Sequence, residues 1–83
     1  MTLRTLSAVE KAEAALRRIG FGAVRVRHYD DTARLEVPVD RLADAVAARE
    51  AIVAAVHKAG YRYVTLDLEG LRSGNLNAAL ERP

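Results

Sequence analysis

The segment Ala23–Val37, AVRVRHYDDTARLEV, alternates apolar and polar residues on both sides of a central pair of aspartates. A period of two is typical of strands with one buried face, and two such runs joined by two turn-forming residues predict a β-hairpin. A two-residue turn sets the register, so Arg25 lies opposite Glu36 and Arg27 lies opposite Arg34. The segment therefore predicts a hairpin with one apolar and one charged face.

The pairing of Arg27 with Arg34 sets two like charges side by side on the charged face. Two interpretations remain open. The guanidinium groups splay into water, which is the simpler interpretation, or they hold an anion between them.

A first helix is predicted before the hairpin, from about Val9 to Ile19. Ser7 and Glu10 have the spacing of a capping box at its start. Glu13 falls on the rim of the apolar stripe, where a solvated side chain is the simplest interpretation. The residues of the stripe repeat at the helical period, and they are Val9, Ala12, Leu16 and Ile19.

A second, long helix is predicted after the hairpin, with Asp40 as its N-cap and its end near Ala59. Asp44 points away from the apolar side of this helix, so a solvated residue that complements the helix dipole is the simplest interpretation. The predicted buried face consists of Leu42, Val46, Ile52, Val53 and Val56.

The segment Tyr61–Asn77, YRYVTLDLEGLRSGNLN, begins with alternation typical of a third strand and continues as a loop rich in glycine and asparagine. The second and third strands are expected to be parallel, because crossovers through a helix are right-handed. The sequence thus predicts one domain, 1–83, of the α+β class. Its architecture is an αββαβ two-layer sandwich in which two helices cover one face of a three-stranded mixed sheet.

The opposite sheet face is the candidate working surface, because it is too charged to be a core. We call it the charged face, and its predicted members are Arg25, Arg27, Arg34, Glu36, Tyr63, Thr65 and Asp67.

Composition excludes several classes of function. The chain has 83 residues, a net charge of +2 and no cysteine, which rules out a disulfide framework, a thiolate metal site and a cysteine nucleophile. The charges are well mixed, which argues against non-specific nucleic-acid binding. No apolar run is long enough to cross a membrane, and a cytoplasmic protein is expected.

No complete catalytic constellation is visible. Ser73 has no assignable histidine base, and no glycine-rich loop precedes a helix in the manner of a phosphate site. His28 has no second ligand at metal spacing, so a packed, hydrogen-bonded histidine is favoured over a metal ligand. The sequence does not predict an enzyme that acts by itself.

The pattern DLEG-x-RSG-x-x-N resembles the C-terminal signature of the LarE-type ATP-dependent sacrificial sulfur transferases, which help make the nickel-pincer nucleotide of lactate racemase. The preceding VEKAEAALRRIGF and AVRVRHYDDTARLEVP segments are similar to the family's helix and hairpin. The signature residues are Asp67, Glu69, Gly70, Arg72, Ser73, Gly74 and Asn77.

The resemblance implies roles for individual residues. Arg25 and Arg27 match an arginine pair that lines the sulfur-donor pocket. Glu13 and Asp44 match acids near that pocket and a metal site. The ATP-pyrophosphatase domain of the family and its sulfur-bearing cysteine are both absent from this sequence, so no cofactor is expected in this chain. ATP and magnesium are implied only for a partner domain.

The leading hypothesis is a non-catalytic subunit, or a counterpart of the C-terminal domain, of a sulfur transferase system. It would bind an anionic substrate through Arg25, Arg27 and Arg34, or an ATP-pyrophosphatase partner, or both. A homo-oligomer is expected, with Glu13, Arg25 or Arg27 close to its interface. The alternative is a small nucleic-acid-binding or adaptor module of BolA- or KH-like architecture, although no GXXG clamp stands between two helices.

Overall fold

The computed structural model describes residues 3–71 and has the predicted α+β architecture. No helix within that range is long and apolar enough to cross a membrane. In chain order, the elements are α1 (Leu3–Ile19), β1 (Arg25–Tyr29), β2 (Thr32–Glu36), a 3-10 turn (Val39–Arg41), α2 (Leu42–Ala47), α3 (Arg49–Lys58) and β3 (Tyr63–Leu66).

The three strands form one sheet in the order β1-β2-β3. β1 and β2 are antiparallel and β2 and β3 are parallel, as predicted. The predicted hairpin register is confirmed, with Arg25 opposite Glu36 and Arg27 opposite Arg34. Asp30 begins the turn with a φ of 54°, a left-handed conformation that aspartate tolerates better than most residues.

The core lies between the sheet and the helices. Helix α1 packs against β1 and α3, while α3 also packs against β3. The predicted stripe of α1 is confirmed, since Ala12 and Leu16 are fully buried and Val9 and Ile19 pack beside them. The other buried apolar residues are Phe21, Val24, Val26, Ala33, Leu35, Val37, Ala45, Ile52, Val56 and Tyr61.

The predicted start of the first helix is wrong. Helix α1 already includes Leu3, so Ser7 and Glu10 lie inside the helix rather than at its N-terminus. A residue inside a helix donates its amide to the carbonyl four residues earlier, which leaves no free amide for a capping box.

The second predicted helix is interrupted. Asp40 lies in the 3-10 turn, where no side chain caps the start. Ala48 separates α2 from α3, with φ −97° and ψ 21°. The buried face is also different from the prediction, because Ala45 is 4% exposed while Val46 is 57% exposed. The sequence around Ala48 contains neither proline nor glycine, the residues that usually mark a break in a helix.

Candidate functional site

The charged face is built by the alternation of β1 and β2. Val26 and Leu35 point into the core, so their neighbours along each strand point to the opposite side of the sheet. The hairpin register then places Arg25, Arg27, Arg34 and Glu36 together on that side. The structure thus brings the three predicted anion-binding arginines onto adjacent strands.

Glu36 is the centre of this cluster. The Arg27 Nε donates to Glu36 Oε2 at 3.3 Å, and the Arg34 Nη2 donates to the same oxygen at 3.1 Å. The Glu36 side chain is 8% exposed, against 39% for Arg27 and 40% for Arg34. The carboxylate therefore lies beneath two guanidinium groups that still face solvent. The two like charges do not splay, because a carboxylate of the chain itself joins them.

Sequence reasoning missed this central role of Glu36. The register predicted a contact with Arg25, directly opposite, whereas the ion pairs run to the diagonal neighbour Arg27 and to Arg34, two residues earlier on the same strand. The available signal was the like-charged Arg27–Arg34 pair itself, because such a pair needs a nearby counter-charge.

Arg34 makes one further contact and also carries one donor without a partner in the described residues. Its guanidinium carbon lies 5.3 Å from the centre of the Tyr29 ring, in a cation–π contact. Its Nε is buried and has no hydrogen-bond partner in the part of the chain that the structure describes. A buried donor without an acceptor costs free energy, so Arg34 retains unused hydrogen-bonding capacity.

Arg25 differs from the other two arginines. Its side chain is exposed, and within residues 3–71 it takes part in no ion pair. It therefore adds a positive charge at the edge of a cluster whose single carboxylate is already shared. The cluster can attract an anion by charge, and its guanidinium groups suit a carboxylate or a phosphate.

Glu13 lies beside the outer edge of β1, the edge that faces away from β2, and not on the charged face. Its Oε2 accepts the Val26 amide at 3.0 Å, and its Oε1 lies 3.7 Å from Arg17 Nη2. The simple interpretation of Glu13 as a solvated side chain is wrong, because an edge strand offers outward amides that a nearby carboxylate can satisfy.

His28 and Tyr61 form a small polar cluster that is close enough to Glu13 for its charge to act on Tyr61. His28 Nδ1 lies 2.9 Å from the Tyr61 hydroxyl, and the two rings meet edge to face. The packed, hydrogen-bonded histidine is thereby confirmed. Burial raises the pKa of Tyr61 above its usual value of 10.0, and the negative charge of Glu13 raises it further.

Asp44 is held in a surface contact on α2. Its Oδ2 accepts Arg41 Nε at 2.9 Å, and Arg41 in turn lies over the Phe21 ring and donates to the Gly20 carbonyl. No group of three histidine, aspartate or glutamate side chains within residues 3–71 is arranged to hold a metal ion. A metal-site role for Glu13 and Asp44 stays a prediction.

The described part of the signature loop has a structural explanation. Asp67 Oδ1 accepts the Glu69 amide at 2.9 Å, and the Asp67 carbonyl accepts the Gly70 amide at 3.1 Å. Leu71 then donates to the Val37 carbonyl at 2.7 Å, which ties the loop to the end of β2. The predicted residues Arg72, Ser73, Gly74 and Asn77 lie outside the described residues.

Gly70 is required where this loop closes. Its φ is 83°, and a Cβ there would lie 2.8 Å from Val39 Cγ2 and 3.0 Å from the Val37 carbonyl oxygen. Only glycine combines that conformation with so close an approach. The signature therefore encodes a loop shape, at least as far as Leu71.

Comparison with known proteins supports the family resemblance. The chain is 40% identical over 82 residues to a pyridinium-3,5-bisthiocarboxylic acid mononucleotide synthase of Lactiplantibacillus plantarum, which covers 99% of this chain. It is 39% identical over 84 residues to an uncharacterized protein of Synechocystis sp., again over 99% of this chain. The chain is thus similar to a region of the LarE-type sulfur transferases.

The relationship covers only part of those proteins. The chain spans 30% of the length of the synthase and 31% of the Synechocystis protein. No family model matches the chain. The predicted resemblance is thus confirmed for a region the size of one small domain.

Proposed function

We propose that this chain is the counterpart of the C-terminal domain of a LarE-type sulfur transferase and binds an anionic substrate on its charged face. The main support is the cluster in which Arg27 and Arg34 share the carboxylate of Glu36. Arg25 lies beside them and forms no ion pair within residues 3–71. The similarity to a pyridinium-3,5-bisthiocarboxylic acid mononucleotide synthase supports a substrate class, namely a pyridinium mononucleotide with carboxylate and phosphate groups.

The proposal assigns binding to this chain and chemistry to a partner. An ATP-pyrophosphatase protein would supply ATP and magnesium, because these 83 residues contain no glycine-rich phosphate loop ahead of a helix. The complex would be cytoplasmic, and the chain would also associate with itself. Its own part in the reaction is to position an anion through guanidinium groups.

Anion binding is tested by calorimetric titration with nicotinic acid mononucleotide, which carries both a carboxylate and a phosphate. The double change Arg25→Ala and Arg27→Ala should weaken binding by at least about tenfold, since charge-assisted hydrogen bonds contribute about 1.5–3 kcal/mol each. Glu36→Gln should strengthen binding, because it removes the carboxylate that competes for the guanidinium groups.

The matched control is the double change Arg4→Ala and Arg18→Ala, which removes the same charge from exposed positions on α1. Equal weakening by both double variants would reduce the effect to overall charge and contradict a site at the charged face. Absence of any binding by the wild-type chain would contradict the anion-binding proposal itself.

The partner is tested separately by co-purification with an ATP-pyrophosphatase protein from the same cells. A complex of fixed stoichiometry is expected. If the two proteins elute apart, the subunit hypothesis is contradicted, whatever the calorimetric result.

A titration with RNA and single-stranded DNA at two salt concentrations distinguishes the alternative class. Micromolar affinity with a steep salt dependence would instead favour a nucleic-acid-binding module.

A further inference from the structure

In the part of the chain that the structure describes, strand β3 lies at an edge of the sheet. Tyr63 and Asp67 donate their amides toward β2, to the carbonyls of Asp31 and Leu35. Backbone direction alternates along a strand, so the amides and carbonyls of Val64 and Leu66 point away from the sheet. Within residues 3–71 no group pairs with them.

An apolar groove of about 300 Å³ runs beside this edge. β3 forms one wall through Val64 and Leu66, and the helices form the other through Val46 and Val53. Val46 is 57% exposed although it is a valine on the sheet side of the helical layer. Unpaired backbone groups next to apolar side chains are the features of a surface that accepts an added strand.

The charges that flank β3 suit a second copy of the same strand. Arg62 precedes β3, and its guanidinium carbon lies 5.5 Å from the centre of the Tyr63 ring. Asp67 follows β3. In an antiparallel pair centred on Thr65, Tyr63 of one copy lies opposite Asp67 of the other. The Arg62 guanidinium, stacked on Tyr63, then reaches that carboxylate, and symmetry repeats the contact at the other end.

We infer that two copies of this chain associate through β3, antiparallel about Thr65, to form a continuous six-stranded sheet. The inference rests on the self-association included in the proposed function and gives it a surface. It differs from the expectation of an interface close to Arg25 and Arg27, since β1 is the opposite edge of the sheet. Both charged faces stay open for an anion.

A disulfide tests the register directly. The outward groups of Val64 and Leu66 form the hydrogen bonds, so the two Thr65 residues face each other as a non-hydrogen-bonded pair. Their Cα atoms are then about 4.5 Å apart, within the range of about 4.4–6.8 Å that a disulfide spans. Because the chain has no cysteine, Thr65→Cys introduces a single thiol, and mild oxidation should convert most of it to a covalent dimer.

Tyr63→Cys is the control on the same strand and the same face, and Tyr63 is also exposed. In the proposed register its two copies are four residues out of step, on the order of 13 Å apart. It should give little covalent dimer. Equal cross-linking of both variants would indicate random collision and overturn the register.

Charge reversal tests the ends of the interface. Arg62→Glu places like charges together at both ends, and the dissociation constant of the dimer, measured by light scattering, should rise at least about tenfold. Arg18→Glu, an equal change of charge on α1, should leave it unchanged.

The failures are distinguishable. A wild-type dimer that Thr65→Cys does not cross-link would overturn this interface and leave self-association standing. A wild-type monomer at high concentration would overturn both, while the binding of nicotinic acid mononucleotide tests the charged face independently.

Discussion

The two edges of the sheet are treated differently. At β1 the outward amide of Val26 is bonded to Glu13, a carboxylate carried by the helix that packs on that strand. At β3 the outward groups of Val64 and Leu66 have no partner within residues 3–71. The neighbouring helices place valines and Arg49 beside this edge. An outward amide of one edge is therefore bonded within the chain, whereas the other edge is the one for which we infer an external strand.

The difference shows that a helix beside an edge does not by itself satisfy that edge. Closure needs a side-chain acceptor at the position of the outward amide. Helix α1 places a glutamate there, whereas α3 places Val53 beside β3. Native proteins block free edges by charge, cover or shortness. Strand β3 is short, with four residues, and no element of residues 3–71 covers its outer side.

The largest effect is expected where the β3 side is tied to β2. Gly70→Ala puts a methyl group against the backbone of Val37 and Val39, at a φ of 83° that alanine disfavours. The free energy of unfolding should fall by about 2–4 kcal/mol, from strain and overpacking together, as measured by denaturant unfolding.

Gly22→Ala is the control for that change, because no atom lies within 4 Å of its added Cβ and its φ is not positive. Its effect should stay within about 0.5 kcal/mol. Equal losses for the two variants would show that the close approach at Gly70 does not limit stability.

A smaller loss is expected when the β1 edge is opened. Glu13→Ala leaves the Val26 amide without its acceptor and should lower the free energy of unfolding by about 1–3 kcal/mol. Glu10→Ala, an exposed glutamate on the same helix, is the matched control and should have little effect.

Glu13→Gln separates charge from hydrogen bonding at the same edge. The amide oxygen still accepts from Val26, but the negative charge near Tyr61 disappears. The pKa of Tyr61 should therefore fall toward its usual value but stay above it, because burial still raises the pKa. Spectroscopic titration of the tyrosines measures this, and an unchanged titration curve would contradict an electrostatic influence of Glu13 on Tyr61.

The smallest effect is expected for Tyr61→Phe. Loss of the hydroxyl that meets His28 should cost about 0.5–1.5 kcal/mol. The raised pKa of Tyr61 means that folding favours the neutral phenol. The stabilising contribution of the neutral Tyr61 phenol is fully present below pH 10.0. It is lost as the pH rises from there through the higher pKa of Tyr61 in the folded state.

The variant should therefore lose less stability than wild type in that alkaline range. Tyr63→Phe replaces an exposed tyrosine, and its free energy of unfolding should depend on pH as that of the wild type does. If all three proteins respond alike above 10.0, the titration of Tyr61 does not contribute to alkaline unfolding.

Much of the fold could be predicted from local pattern. The hairpin register followed from alternation and a two-residue turn, because a slip of one residue would turn every apolar side chain outward. The interruption at Ala48 could not be predicted, since alanine favours an unbroken helix. The helix start was missed because a capping pattern has little weight once earlier residues are already helical.

The site was predicted less completely than the fold. The three arginines share a face, as expected, but the ion pairs of Glu36 run along a diagonal that register alone does not determine. The partner of Glu13 was unpredictable for another reason. Its contact with Val26 depends on how α1 crosses the sheet, and that angle is set by packing rather than by either residue.

The buried position of Glu36 has a consequence for selectivity. The carboxylate acts as a tethered counter-ion, whose effective concentration at Arg27 and Arg34 is in the millimolar range or above because the chain holds it there. Dilute monovalent salts compete poorly with such an ion. A ligand with two or more anionic groups could engage Arg25 and both shared guanidinium groups at once, so we expect the proposed anion site to behave as an ion exchanger that favours multivalent anions.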